Sequence, residues 1–195
     1  MNSVQQQNLY VNPNAPQAVA TSEASRMQNE AMALEARGDL AGAERLILRA
    51  IEIRNQAFGA GNNYVAINQN SLGEIYIKMG RLDEAESVLK SALETRTRMN
   101  NAFDAGVTRE NLAQLYEARG DAKAAHEMRM RGSPKSLVCG NQKCPGQLFT
   151  VKQLQRCGGC KSIMYCTQPC QTADWKRHKG HCALLKAAAT AALPD

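Results

Sequence analysis

Seven cysteines and one histidine crowd into 44 residues late in this 195-residue chain: Cys139, Cys144, Cys157, Cys160, Cys166, Cys170, His178 and Cys182. No other cysteine occurs. Eight soft ligands divide into two tetrahedral sets with none left over, the pattern of structural zinc. Reduced, buried thiols explain the cluster less well. A segment this short, with so few large apolar groups, buries too little surface to fold alone. Zinc supplies the deficit, contributing about 10–16 kcal/mol per structural site in peptides. The spacings agree. Cys157-Gly-Gly-Cys160 has the form of a knuckle whose glycines let backbone N–H groups approach sulfur. Cys166 with Cys170, and His178 with Cys182, have the i, i+4 separation that puts two ligands on one helical face. Four protein ligands per ion leave no position for a reacting water, so a catalytic metal is not expected. With every cysteine occupied and no Ser/His/Asp set in view, no enzymatic nucleophile is expected either.

The remainder reads as helix. Hydrophobic residues make up 44% of the chain but aromatics only 5%, which suits an alanine-rich helical packing unit better than a β-rich one. Residues 1–21 are polar and low in apolar content, and are expected to be a disordered tail. Ser22 is then the expected cap of the first helix. The start shows neither the basic residues nor the apolar core of a secretory signal, and no apolar run nears the roughly 18 residues that span a bilayer. These features lead to the expectation of an intracellular protein, cytoplasmic or nuclear, with metal-bound rather than disulfide-bonded cysteines.

Charge divides the chain at the same place. Residues 1–130 carry fourteen Lys+Arg against sixteen Asp+Glu, and residues 131–195 carry ten against two. Seven thiolates and two zinc ions together add about minus three, so the basic excess of the second part shrinks on ligation. Lys176, Arg177 and Lys179 beside Trp175 offer a nucleic-acid reading. It is the weaker one, because no base-reading helix accompanies the patch.

An internal repeat fills the first part. ALEARGDLAGAERLILRAIEI around Gly38 lines up with YIKMGRLDEAESVLKSALET around Gly80, and again with YEARGDAKAAHEMRM around Gly120. In each unit one helix stops at the glycine and a second follows, marked by Ala43, Ala85 and Ala125. Ile47 with Ile51, and Leu89 with Leu93, supply apolar stripes at helical spacing, which only stacking can bury. Leu72, Gly73, Tyr76, Gly80 and Ala85 together resemble the tetratricopeptide repeat, and the 40–42 residue spacing is similar to the kinesin light chain variant. Leu112 and Tyr116 repeat the first-helix signature, and the array is expected to end near residue 131. The resemblance implies a concave face on which Asn68 and Asn111 are candidate hydrogen-bonding residues for a peptide.

After the repeats, residues 132–138 are expected to form a linker, either a hinge or a tight turn around Gly132, Ser133 and Pro134. In residues 139–182, Tyr165, Cys166, Cys170, Gln171, Trp175, His178, Lys179 and Cys182 resemble the MYND finger family. The resemblance implies an interleaved topology: Cys139, Cys144, Cys166 and Cys170 on one zinc, and Cys157, Cys160, His178 and Cys182 on the other. The chain departs from the family in its first pair, which four residues rather than two separate. His181 is off the motif's spacing, and His126 is expected on a helix surface. The family also implies capture of proline-rich peptides through Gln171 and Trp175, an indole face for proline rings and an amide for the extended backbone. Residues 183–195 are alanine-rich and are expected to continue as a helical tail.

The expected molecule is mostly α, with about three helical repeats followed by a two-zinc, cross-braced finger. Its expected role is that of a non-catalytic protein-interaction adaptor in transcriptional or other regulatory complexes, without membrane association. The alternatives are an accessory or truncated relative of MYND-containing lysine methyltransferases, or a nucleic-acid-associated zinc protein.

Overall fold

The structure is a computed structural model that describes residues 15–191. Six helices form three antiparallel pairs: α1 (Ala15–Ala36) with α2 (Leu40–Phe58), α3 (Asn63–Met79) with α4 (Leu82–Arg98), and α5 (Ala102–Ala118) with α6 (Ala122–Met130). The turns follow from the residues at the joints. Gly80 ends α3 in the left-handed conformation with φ 77°, which its missing Cβ permits, and Gly38 and Gly120 do the same in their units. Asp39 and Asp121 then cap the next helix, accepting the N–H of Gly42 and Ala124, each at 2.8 Å. Ala43, Ala85 and Ala125 are fully buried, and Leu72, Leu89, Leu112 and Leu115 fill the shared core around them.

Polar side chains also join one pair to the next. Arg54 of α2 and Arg96 of α4 stand at equivalent places in successive units. Each reaches a backbone carbonyl at the start of the following helix, Tyr64 at 3.0 Å and Asp104 at 3.1 Å. Asn68 is fully buried against Arg54 and Gln28. Asn111 donates to Asn70 at 3.2 Å and to Glu74 at 2.6 Å. Neither asparagine is therefore a groove residue awaiting a peptide, because each is spent on holding adjacent repeats together.

The first helix starts earlier than expected. Ala15–Thr21 belong to α1, and Ser22 lies inside the helix instead of capping it. Pro16 is tolerated because the first turn has no N–H bond to lose, and Ala20 and Ala24 pack on Ala50 and Ile53 of α2. Tertiary contact overrides the weak local signal. The rest of the expected tail, residues 1–14, lies outside the described residues, as do residues 192–195 of the C-terminal tail.

The expected linker is a tight turn. Ser136 N–H bonds Gly132 O at 2.7 Å, and Arg109 of α5 holds Ser136 O at 2.8 Å. Leu137 is already part of the following core, bridged to Phe149. The second part therefore lies against α5 and α6. A short hairpin, β1 (Gln155–Arg156) paired antiparallel with β2 (Met164–Tyr165), leads into α7 (Gln168–Ala191). Helix α7 runs without a break from the cysteine-rich region into the tail, and Leu185 on it is fully buried while Leu184 is exposed.

Candidate metal centre

The hairpin and α7 bring the ligands together. Cys157 follows β1 and Cys160 closes the knuckle, where Cys157 N–H bonds Ile163 O at 2.9 Å and Lys161 N–H bonds Cys157 O at 3.1 Å. A Cβ on Gly159 would lie 2.8 Å from Cys182 Sγ, so the knuckle admits no side chain there. Cys166 follows β2, and α7 carries Cys170 near its start with His178 and Cys182 one turn apart further along.

Two clusters result: Cys139, Cys144, Cys166 and Cys170, and Cys157, Cys160, His178 and Cys182. Within each, all ligand atoms lie within 4.8 Å of one another. Cys144 and Cys166 sulfurs are 3.8 Å apart, as are those of Cys157 and Cys182, while Cys160 Sγ lies 3.4 Å from His178 Nε2. Zinc–sulfur bonds of about 2.3 Å in a tetrahedron require sulfur–sulfur edges of about 3.8 Å. The donor sets and their spacing fit two zinc ions, and the ligand pairs interleave along the chain. His181 stays outside both clusters.

The longer first pair is accommodated by a turn. Cys144 N–H bonds Asn141 O at 2.9 Å, and Lys143 N–H bonds Asn141 Oδ1 at 3.0 Å. Burial opposes ionisation of Cys170, yet hydrogen bonds from Asn141, then Thr167, bring its thiol down to about 7. Burial pushes the Cys182 thiol up to about 12, so a positive ion is needed to hold it as thiolate.

Around the ligands stand residues that the cysteine pattern does not reveal. His178 is fully buried between the edges of Tyr165 and Trp175, with ring centres 6.2 and 6.0 Å away. Tyr165 Oη donates to Asp174 Oδ2 at 2.8 Å, and Arg177 Nε donates to Asp174 Oδ1 at 2.7 Å. Arg177 also reaches Gly140 O at 3.3 Å, tying α7 to the first ligand loop. Buried Arg129 of α6 links Glu110 and Glu117 of α5 to Ser162 of the hairpin. The one sequence signal for it was Arg129 itself, standing where the repeat pattern calls for an apolar residue. His126 is half-buried; desolvation, then Arg156, holds its imidazole below its usual range.

Gln171 and Trp175 lie one turn apart on α7, on the stripe that continues to His178 and Cys182. Trp175 is 46% exposed, and with Gln168, Gln171 and Thr172 it lines a shallow depression of about 270 Å³. The indole thus serves the finger's core with one edge and leaves much of its surface to solvent.

Comparison with known families matches the tetratricopeptide repeat over residues 23–98 and 64–131, and the MYND finger over residues 138–182. The chain is a tetratricopeptide-repeat protein with a MYND finger. Its fold is similar to that of BtubC (BKLC) from P. vanneervenii, with a TM-score of 0.53 at 27% identity, covering 61% of this chain and 49% of that one. The finger region is similar to SET domain-containing protein 14 of Caenorhabditis elegans, 42% identical over 43 residues, and to N-lysine methyltransferase SMYD2 of Gallus gallus, 41% identical over 42. Each match covers 22% of this chain and 10% of the relative. The chain is thus a zinc-binding interaction module built from two protein-binding folds. Among the described residues no helix is long and apolar enough to cross a membrane.

Proposed function

We propose that this protein is a non-catalytic adaptor whose zinc-held finger reads proline-rich peptides through Gln171 and Trp175. The observation that carries the reading is the half-exposed indole of Trp175 beside the Gln171 amide, on the same stripe of α7 as the zinc ligands His178 and Cys182, which fix its place. An indole face packs on proline rings, and an amide meets the backbone of an extended chain that has no internal hydrogen bonds. The repeats offer a second protein-binding groove. Two modest sites on one partner complex act through effective concentration. The adaptor works inside the cell, in cytoplasm or nucleus, where reducing conditions keep the thiols available as ligands.

Trp175 is the sole tryptophan of the chain, so its fluorescence reports this site alone. The zinc-loaded full chain titrated with a PxLxP-type peptide is expected to give a saturable shift, abolished in Trp175→Ala with both zincs retained. No saturable shift up to millimolar peptide overturns the reading. The finger's similarity to SET-domain proteins favours a second reading, an accessory or truncated relative of MYND-containing lysine methyltransferases. Binding of the purified chain to a SET-domain lysine methyltransferase, with a change in that enzyme's rate of methyl transfer, would decide for it.

A further inference from the structure

The repeats and the second zinc cluster share a buried boundary. Glu117 of α5 is fully buried. Its Oε1 accepts Arg129 Nη1 at 2.8 Å and Ser162 Oγ at 3.3 Å. Ser162 is two residues beyond Cys160, whose sulfur faces His178 Nε2. Glu117 Oε2 is sealed from solvent and has no hydrogen-bond partner in the protein, and the same holds for His178 Nδ1.

These two atoms are complementary once metal is bound. Zinc on Nε2 leaves the imidazole proton on Nδ1, which becomes a buried donor. A buried donor without an acceptor is destabilising, and so is a buried acceptor without a donor. The other sealed, unpartnered side-chain oxygens among the described residues are on Gln17, Asn55 and Asn63, in the first helices of the array. Glu117 also exerts the largest charge effect on His178 of any residue.

We propose that Glu117, a residue of the repeat array, is the outer-sphere carboxylate that orients His178 for the second zinc, so that this metal site is complete only when finger and repeats are docked. Zinc affinity and interdomain docking then become one linked equilibrium: what loosens the docking weakens one zinc and spares the other. At the first cluster the hydrogen bonds to Cys170 come from Asn141 and Thr167 of the finger itself, and α5 contributes only the wall of a cavity beside Cys139 and Cys144.

The test uses the full-length zinc-loaded chain, with metal release measured against a chromophoric chelator. Cobalt substitution distinguishes the all-sulfur site from the Cys3His site by its visible spectrum. Glu117→Gln is expected to weaken metal at the Cys3His site by about 10–100-fold, the range for lost outer-shell partners, with the all-sulfur site unchanged. Glu110→Gln is the control, because Glu110 also binds Arg129 but is not the residue set against His178; it is expected to weaken the Cys3His site through docking alone, and so by less than Glu117→Gln does. Equal weakening in both variants, weakening of both sites, or no change in Glu117→Gln overturns the proposal. A second measurement requires no variant. In zinc-loaded wild type the His178 Nδ1 proton is expected to be detectable by NMR and protected from solvent exchange, and a freely exchanging proton overturns the proposal.

Discussion

Arg129 grips both carboxylate oxygens of Glu110, with Nε at 2.7 Å and Nη2 at 2.8 Å, where neither side chain reaches solvent appreciably. The remaining nitrogen holds Glu117 and Ser162, so one guanidinium joins α5, α6 and the finger hairpin. Planar, bidentate geometry is what guanidinium supplies and ammonium cannot. Arg129→Met would leave two buried carboxylates without their cation. Removing one partner of a buried pair costs about 3–5 kcal/mol, so a loss at least that large is expected in urea unfolding. A loss below 1 kcal/mol would show that the cluster is solvated.

Helices α3 and α4 meet at a glycine. A Cβ on Gly73 would lie 2.4 Å from Leu89 Cγ, inside a core where Leu89 is fully buried. Gly73→Ala relieves some helix entropy but overpacks this crossing. Overpacking a well-filled core costs about 1–3 kcal/mol. The variant is expected to unfold at lower urea, while binding two zincs like wild type.

Chelation should uncouple the two halves. The finger's buried cluster, with Phe149, Ile163 and Tyr165, is separate from the repeat cluster around Leu72, Leu89 and Leu112. Removal of zinc is expected to shift Trp175 fluorescence to that of an exposed indole while most helical circular dichroism persists. Parallel loss of both signals would mean that the repeats do not hold a core of their own.

The two sites should differ in acid sensitivity. Thiols in an unfolded, metal-free finger titrate near about 8.5, and each must lose its proton to bind zinc. Below that value every unit of acidification weakens zinc by up to about tenfold per cysteine. The sign is therefore loss of metal as pH falls, with a slope near four for the Cys139 cluster and near three for the His178 cluster. Below about 6.5 the histidine adds a further proton to the second. Competition against a chelator at stepped pH measures both slopes, and equal slopes at pH 7–8 would contradict the ligand sets.

Glu86 adds a smaller pH effect in the repeats. The hydrogen bond from Lys90, with those from Arg119 and Tyr116, outweighs burial and brings its carboxyl down to about 2. A depressed carboxyl contributes stability above its unfolded value near 4.3, lost as pH falls toward 2. Glu86→Gln should therefore cost about 1 kcal/mol at neutral pH, the scale of a surface pair. The difference from wild type should vanish in acid.

The linear order of residues was enough to locate two kinds of feature here. Zinc chemistry is local in its demands: spacings such as Cys157-Gly-Gly-Cys160 and His178 to Cys182 state which atoms can share an ion, almost regardless of surroundings. The repeat likewise announces itself, because Gly38, Gly80 and Gly120 recur with buried alanines after them, and stacked units must present the same residues at the same places. Relations between distant residues escaped that reading. The start of α1 at Ala15 depends on contact with Ala50 and Ile53, more than thirty residues away. Asn68 and Asn111 look like exposed polar residues until Arg54 and Glu74 are seen to claim them. Above all, the docking of the finger on α5 and α6 through Arg129, Glu117 and Ser162 has no periodic or spacing signature. Burial decides it: a charge is tolerated in an interior only where three dimensions bring its partners to it, and partners 12 and 33 residues apart from Arg129 leave no trace in a one-dimensional pattern.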